Sequence, residues 1–182
     1  MVPALYLSIA RESILKRFSG LEMDKNALLA TYPELSKPKA TFVTLTLHGQ
    51  LRGCIGSLVA HRPLLDDLIS NAQSAAFHDP RFSPLSHEEF SMIKIEVSLL
   101  SEPKLVSYAD KAELQSLIHK GIDGVILRFG NYQATFLPQV WEELDNFESF
   151  FVHLGMKAGI GNDPLAYHPE IYTYQVEKIK ED

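Results

Sequence analysis

The chain has 182 residues, of which 46% are hydrophobic and 22% are charged, and its formal net charge is −6. This length and composition predict one globular domain with a substantial apolar core, and they argue against disorder. The acidic balance argues against non-specific binding of nucleic acid, which requires a basic surface. The single cysteine, Cys54, excludes an intrachain disulfide and gives no sign of an oxidising compartment.

The amino-terminal segment predicts a helix rather than a targeting signal. Its apolar residues follow no basic stretch, and charges at Arg11, Glu12, Lys16 and Arg17 interrupt them. A signal peptide or a membrane span is therefore not expected. We expect a cytoplasmic protein that does not bind a membrane.

Hydrophobic spacing alternates between helical and strand periods along the whole chain. Helices are predicted over 3–18, 26–31, 61–77, 109–119, 138–144 and 145–159, the second capped by Asp24 and the last by a capping box of Asp145 and Glu148. Strands are predicted over 43–47, 51–58, 93–99, 124–129, 132–137 and 171–179, with turns at Gly49 and Gly130-Asn131. Segments 34–40 and 80–86 are predicted to be loops.

Hairpins interleaved with helices favour an α+β fold, with an antiparallel sheet flanked by helices, over a doubly wound parallel sheet. No linker divides residues 1–182, so we expect a single domain. Two intertwined lobes with a cleft between them are compatible with this order of elements.

The return strand of the first hairpin, LRGCIGSL at 51–58, is the most distinctive stretch. An odd number of loop residues would place Leu51 and Ile55 on the apolar face of the preceding strand. Arg52 and Cys54 would then share the opposite face, beside Thr44 and Thr46 in the preceding strand. A slip of one residue would instead place Cys54 in the core.

Cys54 is the candidate catalytic residue. A guanidinium from Arg52 on the same face would favour the reactive thiolate, and His48 or His78 could complete a Cys–His pair. The alternative is that Cys54 is a small buried hydrophobic residue.

Four further residues are candidates for ligand binding, besides Arg52. Gly53 and Gly56 indicate a close approach to the backbone, by a ligand, by a crossing helix or at a bulge. Arg81 could grip a carboxylate or phosphate, or it could pair with Asp79 and fix its loop. Glu96 could act as a general base near the thiol, or it could lie on a solvated strand face. No spacing predicts a metal site, and no cofactor motif is present.

LRGCIG resembles the hallmark motif of the AMMECR family, whose prokaryotic members are known as AmmeMemoRadiSam system protein A. Other stretches resemble the family in the same order: DPRFSPLSHEEF at 79–90, IEVSLLSEP at 95–103, GIDGVIL at 121–127, TFLPQVW at 135–141 and HLGMKAG at 153–159. The resemblance covers nearly the whole chain.

The resemblance implies a two-lobed α+β fold and no established activity. It also implies partners, because prokaryotic members accompany a Memo-like protein and a radical S-adenosylmethionine protein. We therefore expect a catalytic or ligand-binding subunit of a modification pathway. The alternative is a non-catalytic module that binds a small molecule or a protein with the same cleft.

Overall fold

The computed structural model describes residues 2–182 and divides into two units. The first unit extends to Leu100 and is completed by Glu177–Asp182, and the second unit is Ser101–Val176. The chain therefore leaves the first unit, builds the second, and returns to the first with its last residues.

The secondary structure comprises helices, strands and short 3-10 turns. The helices are α1 (Val2–Ser19), α2 (Lys25–Thr31), α3 (Leu64–Phe77), α4 (His87–Phe90), α5 (Lys111–Leu117) and α6 (Phe147–Ala158). The strands are β1 (Ala40–Leu47), β2 (Gln50–Gly56), β3 (Ile93–Leu100), β4 (Lys104–Val106), β5 (Gly124–Phe129), β6 (Tyr132–Phe136), β7 (Glu170–Tyr174) and β8 (Val176–Lys180). The 3-10 turns are Pro33–Ser36, Pro138–Glu142 and Pro164–Tyr167.

Each unit contains a four-stranded sheet, in the order β2-β1-β3-β8 in the first and β4-β7-β5-β6 in the second. β1 is antiparallel to both β2 and β3, and β5 is antiparallel to both β6 and β7. The predicted antiparallel α+β class is confirmed. Within residues 2–182, no helix combines the length and the apolar content that crossing a bilayer requires.

The core of the first unit lies between one face of its sheet and helices α1 and α3. Val43 and Leu45 of β1 are fully buried there, together with Ile14 of α1 and Leu68 of α3. The intervening Thr44 and Thr46 are only half-buried. The period-two alternation of the strand thus separates an apolar face from a polar one, as the sequence predicted.

The core of the second unit is built on aromatic side chains. The rings of Trp141 and Phe150 stack with centroids 3.7 Å apart, and Leu127 of β5 is fully buried in the same cluster. The predicted two-residue turn at Gly130-Asn131 is confirmed by the pairing of Phe129 with Tyr132.

The hairpin of β1 and β2 differs from the prediction in its turn and in its register. Leu47 pairs with Gln50, so the turn has two residues, His48 and Gly49, both with positive φ. Such turns match the right-handed twist of the strands, which explains why an even loop replaces the expected odd one.

A β-bulge then exchanges the two faces of β2, so that the residues beyond it no longer follow the alternation that a two-residue loop imposes. The register shifts between Leu45 and Thr46, so that Leu45 pairs with Gly53 while Thr46 pairs with Leu51. Arg52 is the extra residue. Beyond it, Ile55 faces Val43 as predicted, but the prediction for Leu51 was wrong, because it pairs with Thr46 and is 44% exposed.

Other elements also differ from their predicted form, and α4 and β4 were not predicted at all. The final strand is two strands, β7 and β8, which are separated at Gln175 and belong to different sheets. Asn146, not Asp145, caps α6, because its side chain accepts the Ser149 N–H. Pro138 opens a 3-10 turn rather than an α-helix.

Candidate functional site

Cys54 lies on the polar face of the first sheet, in a row of polar side chains that crosses adjacent strands. It pairs with Thr44, which in turn pairs with Glu96 of β3. Cys54 Sγ lies 3.3 Å from Thr44 Oγ1, and Glu96 Oε2 lies 3.4 Å from Lys180 Nζ on β8. We call Cys54, Thr44, Glu96 and Lys180 the polar row. The contact between the two side chains confirms the prediction that Cys54 projects beside Thr44.

The backbone of Cys54 is held from outside the sheet, because β2 is an edge strand. Its N–H donates to Asp79 Oδ2 at 3.0 Å, and its carbonyl accepts from Arg81 Nη2 at 3.3 Å. Two side chains from the loop after α3 therefore take the place of a further strand. Edge strands need such cover, since their free N–H and C=O groups otherwise invite pairing with another chain.

Asp79 and Arg81 are themselves paired. Arg81 Nε and Nη2 donate to the two carboxylate oxygens of Asp79 at 3.0 and 2.7 Å. The hydrogen bonds from the Arg81 guanidinium, and those from the backbone N–H groups of Cys54 and Arg81, hold the pKa of the buried Asp79 carboxyl well below its ordinary value. The structural alternative for Arg81, a pair with Asp79 that fixes the loop, is therefore observed. Its role in ligand binding stays a prediction.

The structure gives Arg52 partners that the sequence did not predict. Because Arg52 occupies the bulge, the regular alternation that would place both residues on one face is broken. The Arg52 guanidinium is buried and bidentate on Glu89, with Nε–Oε2 and Nη2–Oε1 distances of 2.8 and 3.1 Å. It also donates to the Ser83 carbonyl at 2.8 Å. Arg52 thus binds the loop and α4, and its predicted effect on the thiol stays a prediction.

The two arginines and their carboxylates tie residues 79–89 to β2. The Phe82 ring lies within 5.7 Å of the Arg52 Cζ atom and 5.5 Å of the Arg81 Cζ atom, so each guanidinium contacts an aromatic ring as well as an acid. Hydrogen bonds from Arg52 lower the pKa of the Glu89 carboxyl to about 2. The positive charges of Arg52 and Arg81 are thus each neutralised by a carboxylate of the same chain.

The two glycines of the motif are explained by close packing. A Cβ atom on Gly53 would lie 2.1 Å from the carbonyl oxygen of Ala75 in α3. A Cβ atom on Gly56 would lie 2.2 Å from the ring of Phe42. Of the alternatives that the sequence left open, the crossing helix applies to Gly53, next to the bulge. An aromatic side chain fills the space over Gly56.

The polar row brings together some predicted residues and not others. Glu96 is half-buried and lies one strand beyond Thr44, so adjacent-strand spacing separates it from Cys54 by roughly 9–10 Å between backbones. The hydrogen-bond partner of the sulfur is a hydroxyl, not an imidazole. The row can donate and accept hydrogen bonds at several points, and across residues 2–182 no cluster of His, Cys, Asp and Glu has the geometry of a metal site.

Sequence reasoning missed a buried polar network centred on Asp67 of α3. This carboxylate is fully buried and accepts hydrogen bonds from Thr41, Ser57, Arg62 and Asn71 at 2.7–3.0 Å. It joins α3 to the start of β1 and the end of β2. The available signal was the placement of Asp67 and Asn71, four residues apart, on the face of α3 that otherwise carries leucine and alanine.

Comparison with known proteins identifies the family of this chain. The AMMECR1 family model matches residues 7–179. A protein of Methanothermobacter thermautotrophicus is 39% identical over 181 residues, which cover 97% of this chain and 92% of that protein. A protein of Methanocaldococcus jannaschii is 36% identical over 162 residues, which cover 86% and 81%.

The fold is also similar to a crystal structure, that of an uncharacterized protein from Pyrococcus horikoshii. The TM-score is 0.82 with 32% sequence identity, over 98% of this chain and 90% of that one. The molecule is thus an α+β protein built around an LRGCIG edge strand. It belongs to the AMMECR1 family, which confirms the resemblance seen in its motifs.

The approach of α3 to β2 predicts that Gly53→Ala is destabilising. The added methyl group meets a backbone oxygen, which cannot move without shifting the helix. We expect a loss of about 2 kcal/mol, which lowers Tm by roughly 4–8 °C in thermal unfolding. Gln50→Ala, at an exposed position of the same strand, should stay within about 0.5 kcal/mol of the wild type. Equal stability of both variants would contradict the packing described here.

The pair of Arg52 and Glu89 predicts a pH-dependent contribution to stability. Because the folded pKa of Glu89 is about 2, below its ordinary value of 4.5, the stabilisation is complete above about pH 4.5 and is lost as pH falls towards 2. Glu89→Gln should cost about 2 kcal/mol at neutral pH, and urea unfolding should show this difference shrinking on acidification.

The matched control is Glu22→Gln, which removes an exposed ion pair with Lys16 from the same unit. Exposed pairs contribute little, so this change should cost less than about 0.5 kcal/mol at every pH. If Glu89→Gln behaves like Glu22→Gln, the anchoring role of the buried pair is wrong.

Proposed function

We propose that this AMMECR1-family protein is a binding subunit, and that its polar row binds the ligand or the protein segment on which a modification pathway acts. The observation that carries the proposal is the composition of the row: a thiol, a hydroxyl, a carboxylate and an ammonium group lie side by side on adjacent strands. Such a row offers donors and acceptors for a polar occupant while the opposite face of the sheet is committed to the core.

The state of the arginines favours binding over catalysis. Arg52 and Arg81 are each bidentate on a carboxylate, so neither offers a free guanidinium to an anionic substrate. The thiol lies beside the Thr44 hydroxyl, which is a poor base. A subunit that positions a substrate for a partner needs neither a free cation nor a base.

The partners that we propose are a Memo-like protein and a radical S-adenosylmethionine protein, as the family resemblance implies. The cytoplasm is the compartment that we propose, because the one cysteine is a free thiol. In this scheme the present chain supplies recognition, and its partners supply the chemistry. A binding module that works outside this pathway is the alternative.

A second candidate function, catalysis by Cys54 as a nucleophile, is favoured by the partial exposure of this residue. A half-buried sulfur can meet a substrate, whereas a fully enclosed one cannot. The binding proposal expects Cys54 to be alkylated by iodoacetamide no faster than glutathione. A rate about tenfold above that of glutathione would favour the nucleophile instead.

Protection of Cys54 from alkylation tests the binding proposal directly, because mass spectrometry of the product reports on the only thiol in the chain. We expect saturating Memo-like or radical S-adenosylmethionine protein from the same organism to slow the reaction about tenfold. Glu96→Gln should weaken this protection, since it removes the carboxylate of the polar row. Glu88→Gln, an exposed change on α4, should leave the protection intact.

Two outcomes would contradict the proposal. Binding of a partner without any change in the alkylation rate would place the interface away from the polar row. Failure of both proteins to bind the wild-type chain would favour a module that works outside the pathway.

A further inference from the structure

A pocket of 310 Å³ lies in the second unit, beside the start of α6. Its lining includes Ile118 and Lys120, which follow α5, and Trp141 of the second 3-10 turn. The rest of the lining is Gln115 of α5 and the three residues at the start of α6, Asp145, Asn146 and Phe147. The volume falls at the lower end of the range of small-molecule sites, about 300–1,000 Å³. None of these residues belongs to the polar row, so this pocket is a separate feature.

The floor of the pocket is apolar and fixed. Trp141, Phe147 and Ile118 are each at least nine-tenths buried. The indole Nε1 of Trp141 donates to the Asp123 carbonyl at 2.9 Å, and its ring stacks on Phe150. Trp141 is only 3% exposed and its one polar group is already satisfied, so the small part of it that reaches the pocket is ring surface. The floor therefore suits a hydrocarbon group.

The rim of the pocket carries one cation and one anion that do not neutralise each other. Lys120 and Asp145 both line the pocket and are exposed. In the part of the chain that the structure describes, neither makes an ion pair, although Lys111 and Glu148 close by do so. Both charges of the rim thus stay available to a ligand.

We propose that this pocket binds a small zwitterion with an apolar side chain, of the class of hydrophobic α-amino acids. The side chain lies on Trp141 and Phe147, the carboxylate is held by Lys120, and the ammonium group is held by Asp145. A ligand with a single charge fits less well, because a carboxylate alone faces Asp145 and an amine alone faces Lys120. Only a zwitterion satisfies both rim charges at once.

Trp141 makes the test specific, because it is the only tryptophan in the chain. Its fluorescence is followed while the full protein is titrated with L-phenylalanine, phenylpropanoate or phenethylamine, three probes that share one hydrocarbon group. We expect phenylalanine to bind about tenfold more tightly than either analogue, since each analogue lacks one charge-assisted contact. Calorimetric titration of the same three probes detects binding that leaves the fluorescence unchanged.

Two variants should show a crossed pattern. Lys120→Gln should weaken phenylalanine and phenylpropanoate about tenfold and spare phenethylamine, whereas Asp145→Asn should weaken phenylalanine and phenethylamine and spare phenylpropanoate. Lys104→Gln and Asp163→Asn, at exposed charges of the same unit outside the pocket lining, should change none of the affinities. Circular dichroism shows whether each variant is folded.

Three outcomes would overturn the proposal. One is the absence of saturable phenylalanine binding to the wild type in both assays. The second is equal affinity for all three probes, which would mean that the rim charges contact no ligand. The third is a folded Lys120→Gln or Asp145→Asn variant that retains the affinity of the wild type for phenylalanine.

Discussion

The hydrogen bond from the Cys54 N–H to the buried carboxylate of Asp79 is the interaction on which the first unit's candidate site depends. An edge strand leaves its outward backbone groups unsatisfied, and here a loop side chain satisfies one of them. A carboxylate is a strong acceptor, but burying it without a partner is costly. Arg81 neutralises it and also donates a hydrogen bond to the Cys54 carbonyl. Asp79 and Arg81 thereby fix the backbone beneath the thiol by hydrogen bonds to the Cys54 N–H and carbonyl.

The bulge at Arg52 solves a second constraint of the same strand. A two-residue turn favours the twist of the hairpin but would place Cys54 on the apolar face. One extra residue restores the alternation, so that Ile55 faces the core and Cys54 faces the polar row. The extra residue, Arg52, also has a structural role, because its side chain binds Glu89 and attaches α4 to the sheet. The turn, the bulge and the ion pair of the bulged residue therefore act together to set the direction of the Cys54 side chain.

Hydrophobic period alone predicted most helices and strands and the side of the sheet on which Cys54 lies, since Val43, Leu45 and Ile55 require one face. It could not predict the bulge, because an odd loop and an even loop with a bulge give the same apolar pattern. The break at Gln175 was equally hidden, since alternation continues across it while the chain passes from one sheet to the other. Partners distant in sequence, such as Glu89 for Arg52, were not predictable because tertiary packing alone selects them.

The fold explains three residues of the LRGCIG motif, and it leaves the identity of Cys54 unexplained. Arg52 pairs with Glu89. Gly53 permits the close approach of α3, and Gly56 leaves room for the Phe42 ring. Cys54 differs, because its structural contacts are made by its backbone, and a serine hydroxyl could also hydrogen-bond to Thr44. These contacts therefore explain the backbone at position 54 but not the sulfur of its side chain. We propose that a chemical property of the thiol, whether weak hydrogen bonding or reactivity, serves the function of the protein.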